Sequence, residues 1–194
     1  MEKAIKKSED IIQGTKKYII ETARQLFSKF SYFGVSMGDI AKKLNITKAA
    51  LYYHFTGKKE IYEKVLENVF NELSLSINQA LKEKTIDKKL RKLIKNYINF
   101  GFKEKNFIKA LMLKLSPTDR IAKCIIQSRE RIVNLVQPVI KEAFTSKRIA
   151  KKVDVRLLTS LFIGMMDGLL LEHSFLNKKI NLEKITDQII TALF

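Results

Sequence analysis

The stretch from Ser36 to Lys58, SMGDIAKKLNITKAALYYHFTGK, leaves this chain few folds to choose from. It reads as two short helices joined by a tight turn. Ser36 is a good N-cap for the first helix, and Asp39 follows three residues on, near the positive helix end. Ile40, Ala41 and Leu44 share one face. Asn45 stands where a left-handed residue would stop that helix, a conformation asparagine tolerates better than most residues. Thr47 is placed to cap the second helix, which carries Lys48, Ala49, Ala50, Leu51, Tyr52, Tyr53, His54 and Phe55, and Gly57 is read as its end. Two helices joined by a turn of about 3–4 residues have the helix-turn-helix geometry, whose second helix can lie in the DNA major groove.

The residue types suit that use. Ile40, Ala41, Leu44, Ile46, Leu51 and Phe55 are apolar and can lock the two helices together. Ala49 and Ala50 are small enough for backbone to approach a groove closely. Lys48, Tyr52, Tyr53, His54 and Lys58 supply donors around them. Phosphate contacts would hold such a helix in place, and a few side chains would read base edges. Spacing alone also fits an ordinary pair of packed helices with a solvated basic face.

More positions agree with a known pattern than these two helices supply. Residues 19 to 61 resemble the TetR family of transcriptional regulators. Ile20, Ala23, Leu26 and Phe27 match that family's first helix, and Ser36, Asp39, Ile40 and Ala41 the start of its second. Ile46, Thr47, Lys48, Leu51, Tyr52, His54, Phe55 and Lys58 match its recognition helix and the start of its fourth. The family usually has glycine where Ser31 and Asn45 stand, so these two helix-end turns are expected to differ a little in shape. The resemblance covers roughly the first third of the chain.

Composition agrees with a helical protein. At 46% apolar, 194 residues can bury a real core as one compact domain or two small ones. Two prolines and seven glycines leave little room for sheet turns. Cys124 is alone, which excludes an internal disulfide and fits a reducing cytosol. No apolar run of the signal-peptide kind follows the first charges. The longest apolar stretch, Leu157 to Leu171, is interrupted by Thr159, Ser160 and Asp167 and falls short of a membrane span. A cytoplasmic protein is expected. The net charge of +17 supports a polyanion partner but does not locate its face. Residues 1–58 hold 11 basic and 5 acidic residues, and residues 59–194 hold 26 and 15, so both parts are basic.

Along the chain, residues 1–14 leave three outcomes open: fraying, an extension of the first helix, or a basic arm toward DNA. The first helix proper is read from Thr15 to about Phe30. A long helix is expected over about Lys58–Lys84, with Ile61, Val65, Val69, Leu73, Ile77 and Leu81 recurring every fourth residue. Asp87 is read as the cap of the next, followed by a short helix over about Asn106–Leu115. Ser116-Pro117-Thr118-Asp119 reads as a start signal, for a helix that runs to about Val136, is broken or kinked by Pro138 and resumes to about Phe144. Ser146 to Lys152 is a basic connector. Asp154 caps an apolar helix, about Val155–Leu176, and Asn181 caps the last. The fold class is therefore all-α, with about nine helices.

The resemblance divides that fold into a helix-turn-helix DNA-binding domain over 12–72, its motif at about 35–54, and a ligand-binding and dimerisation domain over 73–194. It implies a dimer on double-stranded DNA, most simply a repressor at an inverted-repeat operator, released by a small, largely apolar effector. DNA-binding candidates are Ser36, Tyr52, His54 and Lys58 toward phosphates and Thr47, Lys48, Ala49 and Tyr53 toward the groove floor. Pocket candidates are Tyr97, Phe100, Phe107, Met112, Phe162, Met165, Met166 and Asp167, because methionine and aromatic side chains repack around apolar ligands. Plain core is the competing reading for each of them. Asp167, inside an apolar helix, could pair with a lysine, cap a packing contact or hold a polar ligand group. Dimer candidates are Gly164 and Gly168, four apart on one helix, with Ile185, Ile189 and Leu193 on the last. Tight packing within one chain would explain the glycines equally well.

No enzyme is expected: two histidines, one cysteine, no glycine-rich phosphate loop and no metal-ligand spacing. No cofactor or metal is expected either. The rival reading is a basic helical module for a membrane surface or a protein partner.

Overall fold

The computed structural model describes residues 2–112, 120–146, 154–176 and 181–193. Among them are nine helices and no strand: α1 (Glu2–Phe30), α2 (Met37–Leu44), α3 (Lys48–His54), α4 (Lys58–Leu81), α5 (Ile86–Lys103), α6 (Lys105–Met112), α7 (Arg120–Ser146), α8 (Val155–Leu176) and α9 (Leu182–Leu193). Of the three outcomes open to the N-terminal segment, the helical extension is the one seen, since α1 begins at Glu2. The Ser116–Asp119 start signal and all but the first residue of the basic connector lie outside the described residues.

The chain forms two compact units. One comprises Met1–Asn68 with Ala110–Cys124, the other Val69–Lys109 with Ile125–Phe194. In the first unit Ile19, Ala23 and Phe27 of α1, Ile40 and Ala41 of α2, Leu51 of α3 and Ile61, Val65 and Leu66 of α4 are buried. This is the periodic stripe the sequence displays, and burying it is what holds such short helices in place. Phe27, Tyr32 and Tyr62 add ring contacts with centroids 4.8–6.2 Å apart.

The second unit is a helical bundle with one apolar core, drawn from Leu73 and Ile77 of α4, Leu93, Ile94 and Ile98 of α5, Ile132, Val136 and Ile140 of α7, Phe162, Ile163 and Met166 of α8, and Ile189 and Ile190 of α9. Its close approach lies at Gly101, where an added Cβ would sit 2.3 Å from Leu170 of α8. Around this core, nearby acids answer the cations of α5: Lys89 with Glu142 of α7, Lys95 with Glu183 of α9, Lys92 with Glu83 of the preceding turn, and Arg91 with Asp87 of α5 itself and Asp187 of α9.

Two helix ends differ from the sequence reading. Thr85, not Asp87, caps α5: its side chain accepts from Lys88 N–H, and Asp87 sits in the first turn. α3 stops at His54 because Phe55 is extended, and Gly57 instead supplies the carbonyl that opens α4. Pro138 lies inside α7 without ending it. Asp154 and Asn181 do cap α8 and α9, accepting from Leu157 N–H and Lys184 N–H at 3.0 Å each.

Candidate functional site

The α2–α3 pair is fixed by side-chain caps at its helix starts and by backbone hydrogen bonds at its helix ends. Ser36 Oγ accepts from Asp39 N–H at 3.2 Å, while Ser36 N–H and Oγ–H donate to Asp39 Oδ2 at 2.8 and 2.6 Å. This reciprocal box satisfies donors that a helix start leaves orphaned. The hydroxyl and then the backbone N–H of Ser36 hold the Asp39 carboxyl below the ordinary carboxylate range. At the other end Asn45 is left-handed, φ 55°, with its N–H to Lys42 O at 3.2 Å and Ile46 N–H to Ala41 O at 3.0 Å. That pattern is a Schellman stop. Ser31, at the end of α1, is the other non-glycine residue with positive φ among the described residues, at 61°. Both places where the resembled family usually has glycine therefore keep the left-handed backbone without it, at a modest steric cost.

Thr47 caps α3 by accepting from Ala50 N–H at 3.1 Å. Leu51 is wholly buried beneath, and the opposite face is open. Ala49 and Tyr53 are exposed there, Tyr53 at 77%, and Lys48 and Tyr52 are exposed on the flanks. Ser36 and Thr47 are also exposed, at the two helix starts. His54 is half-buried, its ring edge-on to Tyr53 at 5.2 Å and its Nδ1 buried without a hydrogen-bond partner. Lys58 behaves differently from the rest. Its ammonium donates to the Tyr32 carbonyl at 2.9 Å and lies 4.3 Å from the centre of the Tyr32 ring. Loss of solvation lowers its pKa. Seven candidates thus gather around α2 and α3, while Lys58 ties the start of α4 to the turn after α1. Tyr32 carries no sequence signal for this, since its partner is 26 residues away.

In the body, Asp167 pairs with an arginine rather than a lysine. Arg129 of α7 and the Tyr97 hydroxyl of α5, the latter at 2.6 Å, both donate to its carboxylate. Burial, then the Asp167 charge, push the Tyr97 hydroxyl well above its usual pKa. Phe107, Phe162 and Met166 are buried, and Phe100 is half-buried against the same core. Met165 lies on the open side of α8, about 100° around the helix from Met166. Met112 ends α6, with its side chain outside the described residues.

The dimer candidates separate in the same way. Gly164 and Gly168 are exposed with nothing within 4 Å of an added Cβ, so packing inside the chain does not account for them. They lie along an open stripe of α8 with Leu157, Leu161 and Met165. Ile189 is buried in the chain's own core, and Ile185 and Leu193 are half-buried against it. The α9 periodicity therefore reports intrachain packing first.

Residues 19–65 match the family model described as bacterial regulatory proteins, tetR family. The biofilm operon icaADBC HTH-type negative transcriptional regulator IcaR of Staphylococcus epidermidis is 52% identical over 56 residues, 29% of this chain and 30% of that protein. The regulator of the same name in Staphylococcus aureus strain Newman is 33% identical over 150 residues, 76% of this chain and 80% of that one. The solved structure of a Clostridium perfringens putative fatty acid metabolism regulator superposes with a TM-score of 0.72 at 25% identity, covering 90% of this chain and 95% of its own.

Proposed function

The chain belongs to the TetR family of bacterial regulatory proteins, and from that premise we propose a ligand-responsive repressor that binds an inverted-repeat operator as a dimer. The observation that carries this reading is the locally capped α2–α3 pair, with Leu51 buried and Lys48, Ala49, Tyr52 and Tyr53 presented to solvent. Ser36, Tyr52 and His54 serve phosphates, and Thr47, Ala49 and Tyr53 the groove floor. The start of α3 carries the base-facing residues, as the N-terminal end of a recognition helix does. Lys48 joins them. Lys58 serves a phosphate with the N–H groups its Tyr32 contact leaves over. The DNA-binding part spans 12–72 and the ligand-binding and dimerisation part 73–194.

Two copies meet along α8 and α9. The open α8 stripe supports this: it is apolar, its glycines admit a close backbone, and its cations are few. The last point favours a second copy over a membrane surface, since a membrane-lying helix sets lysine against its apolar face. Among the described residues no helix is long and apolar enough to cross a membrane. The protein acts in the cytoplasm and has no catalytic role. Its effector is small and largely apolar, bound within the second unit, with the Asp167–Arg129–Tyr97 group supplying the polar contact.

The test is fluorescence anisotropy with the duplex upstream of the protein's own gene, beside a scrambled duplex, with and without a library of apolar ligands. Tight salt-dependent binding to an inverted repeat, released by a ligand, is expected. Asp167→Asn should alter ligand-triggered release and leave ligand-free DNA affinity unchanged. Equal affinity for both duplexes at every salt concentration would sink the operator reading.

A further inference from the structure

Gly38 is the second residue of α2, and Lys48 the first of α3. A Cβ built on Gly38 would lie 2.9 Å from Lys48 Cε, 3.3 Å from Nζ and 3.4 Å from Ser36 Oγ. The end of the Lys48 side chain therefore crosses the first turn of α2, in space that only a glycine leaves open. The backbone does not ask for glycine here: no described glycine has positive φ. Within a helix glycine is less favourable than alanine. What Gly38 provides is the recess. The Asp39 carboxylate, held by Ser36, is close enough for the Lys48 charge to act on it.

We infer that Gly38 is a specificity-determining position that acts through Lys48. The bare turn at 38 sets the height and direction from which the Lys48 ammonium reaches DNA. A hydrogen bond to a base edge weakens steeply once distance and angle leave a narrow range. Lifting the lysine stem by one methyl group is therefore enough to change which base edge it meets. The displaced atoms are the far end of a flexible side chain, so the helix itself need not move. This inference rests on the reading of Lys48 as a DNA contact.

The test is a double-mutant cycle on the dimeric full chain with specific and singly substituted duplexes. Gly38→Ala should melt at or above wild type, with unchanged helix content. It should change discrimination at one base pair by about threefold or more, within the range a good base contact supplies, and leave affinity for scrambled DNA unchanged. In a Lys48→Ala background the same substitution should change nothing. Gly38→Ser, which also fills the recess, should follow Gly38→Ala and keeps the test open if one variant misfolds. If Gly38→Ala acts equally with and without Lys48, or leaves discrimination intact while Lys48→Ala reduces it, the inference falls and the reading of Lys48 stands. If Lys48→Ala alters binding to no duplex, both fall.

Discussion

The α2–α3 pair and the bundle of the second unit both rest on buried apolar stripes, but they place their exposed and polar groups by different means. In the pair, three helix ends are secured by groups three to five residues apart: the Ser36 and Asp39 side chains at the start of α2, the backbone N–H groups of Asn45 and Ile46 on the carbonyls of Lys42 and Ala41 at its end, and the Thr47 side chain on Ala50 N–H at the start of α3. In the bundle, the deciding contacts join residues far apart in sequence, such as Gly101 against Leu170 or Arg129 and Tyr97 on Asp167. Short helices seated on a buried stripe, with their ends fixed locally, display exposed side chains from a set position. Long helices fixed by packing place their polar groups only as well as the packing does. A surface that must meet a rigid duplex suits the first arrangement. A site that must repack around a ligand suits the second.

The largest effect expected from breaking this contrast is at Leu51, where the pair depends on burial. Leu51→Ala should cost about 2–5 kcal/mol, the range for emptying a packed leucine site, and should abolish DNA binding by loosening α3. Tyr53→Ala, three-quarters exposed on the same helix, should leave stability within about 0.5 kcal/mol yet weaken DNA binding. Thermal melts paired with anisotropy read both. Equal loss of stability in the two variants would mean that α3 is not the display element described.

Two glycines sharpen the comparison within the bundle. Gly101→Ala forces a Cβ against buried Leu170. Overpacking costs about 1–3 kcal/mol, which the helix propensity gain of about 1 kcal/mol offsets only in part. Gly168→Ala meets nothing within the chain and should leave the monomer unchanged or slightly more stable. It should, however, weaken the dimer. Sedimentation velocity over a concentration series checks this: an unchanged dimerisation constant for Gly168→Ala would remove the open α8 stripe from the interface.

The same contrast decides what could be read in advance. The caps at Ser36, Asn45, Thr47, Asp154 and Asn181 and the apolar stripes were legible, because each is a local pattern. So was α3 as a display surface, since its residue types and its cap stand side by side. Arg129 was not legible: nothing around it marks it as the partner of a carboxylate 38 residues on. Gly101 was missed for the same reason, while Gly164 and Gly168 drew attention by a spacing that fits two uses. Asp87 reads as a cap because acid near a helix start is common, and Thr85, two residues earlier, competes for the same role.

A smaller effect is expected at Lys58, where the two regimes meet in one residue. Lys58→Ala should lower the slope of log affinity against log salt by about one, the loss of one phosphate contact. It should do so equally for specific and scrambled duplexes. It also removes the tie to the Tyr32 carbonyl, so the melting temperature should fall somewhat. A lower melting temperature with an unchanged salt slope would assign Lys58 to the fold alone.

The smallest effect concerns the Ser36–Asp39 box, and pH isolates it. Hydrogen bonds from the Ser36 hydroxyl and N–H lower the Asp39 pKa below its ordinary 3.8. A carboxyl depressed in the folded state contributes stability above its unfolded pKa and loses it as pH falls through the folded value. The contribution should therefore be complete at neutral pH and disappear only below about 3.8. Asp39→Asn removes the charge at every pH while keeping an acceptor for Ser36. Its melting temperature should lie below wild type at pH 7, and the two curves should converge as the solution is acidified below pH 4. The comparison needs only melts in a pH series at constant ionic strength. Curves that stay parallel down to pH 3 would show that Asp39 supports α2 by packing rather than by its charge, and the short helix would then depend on its neighbours as the bundle helices do.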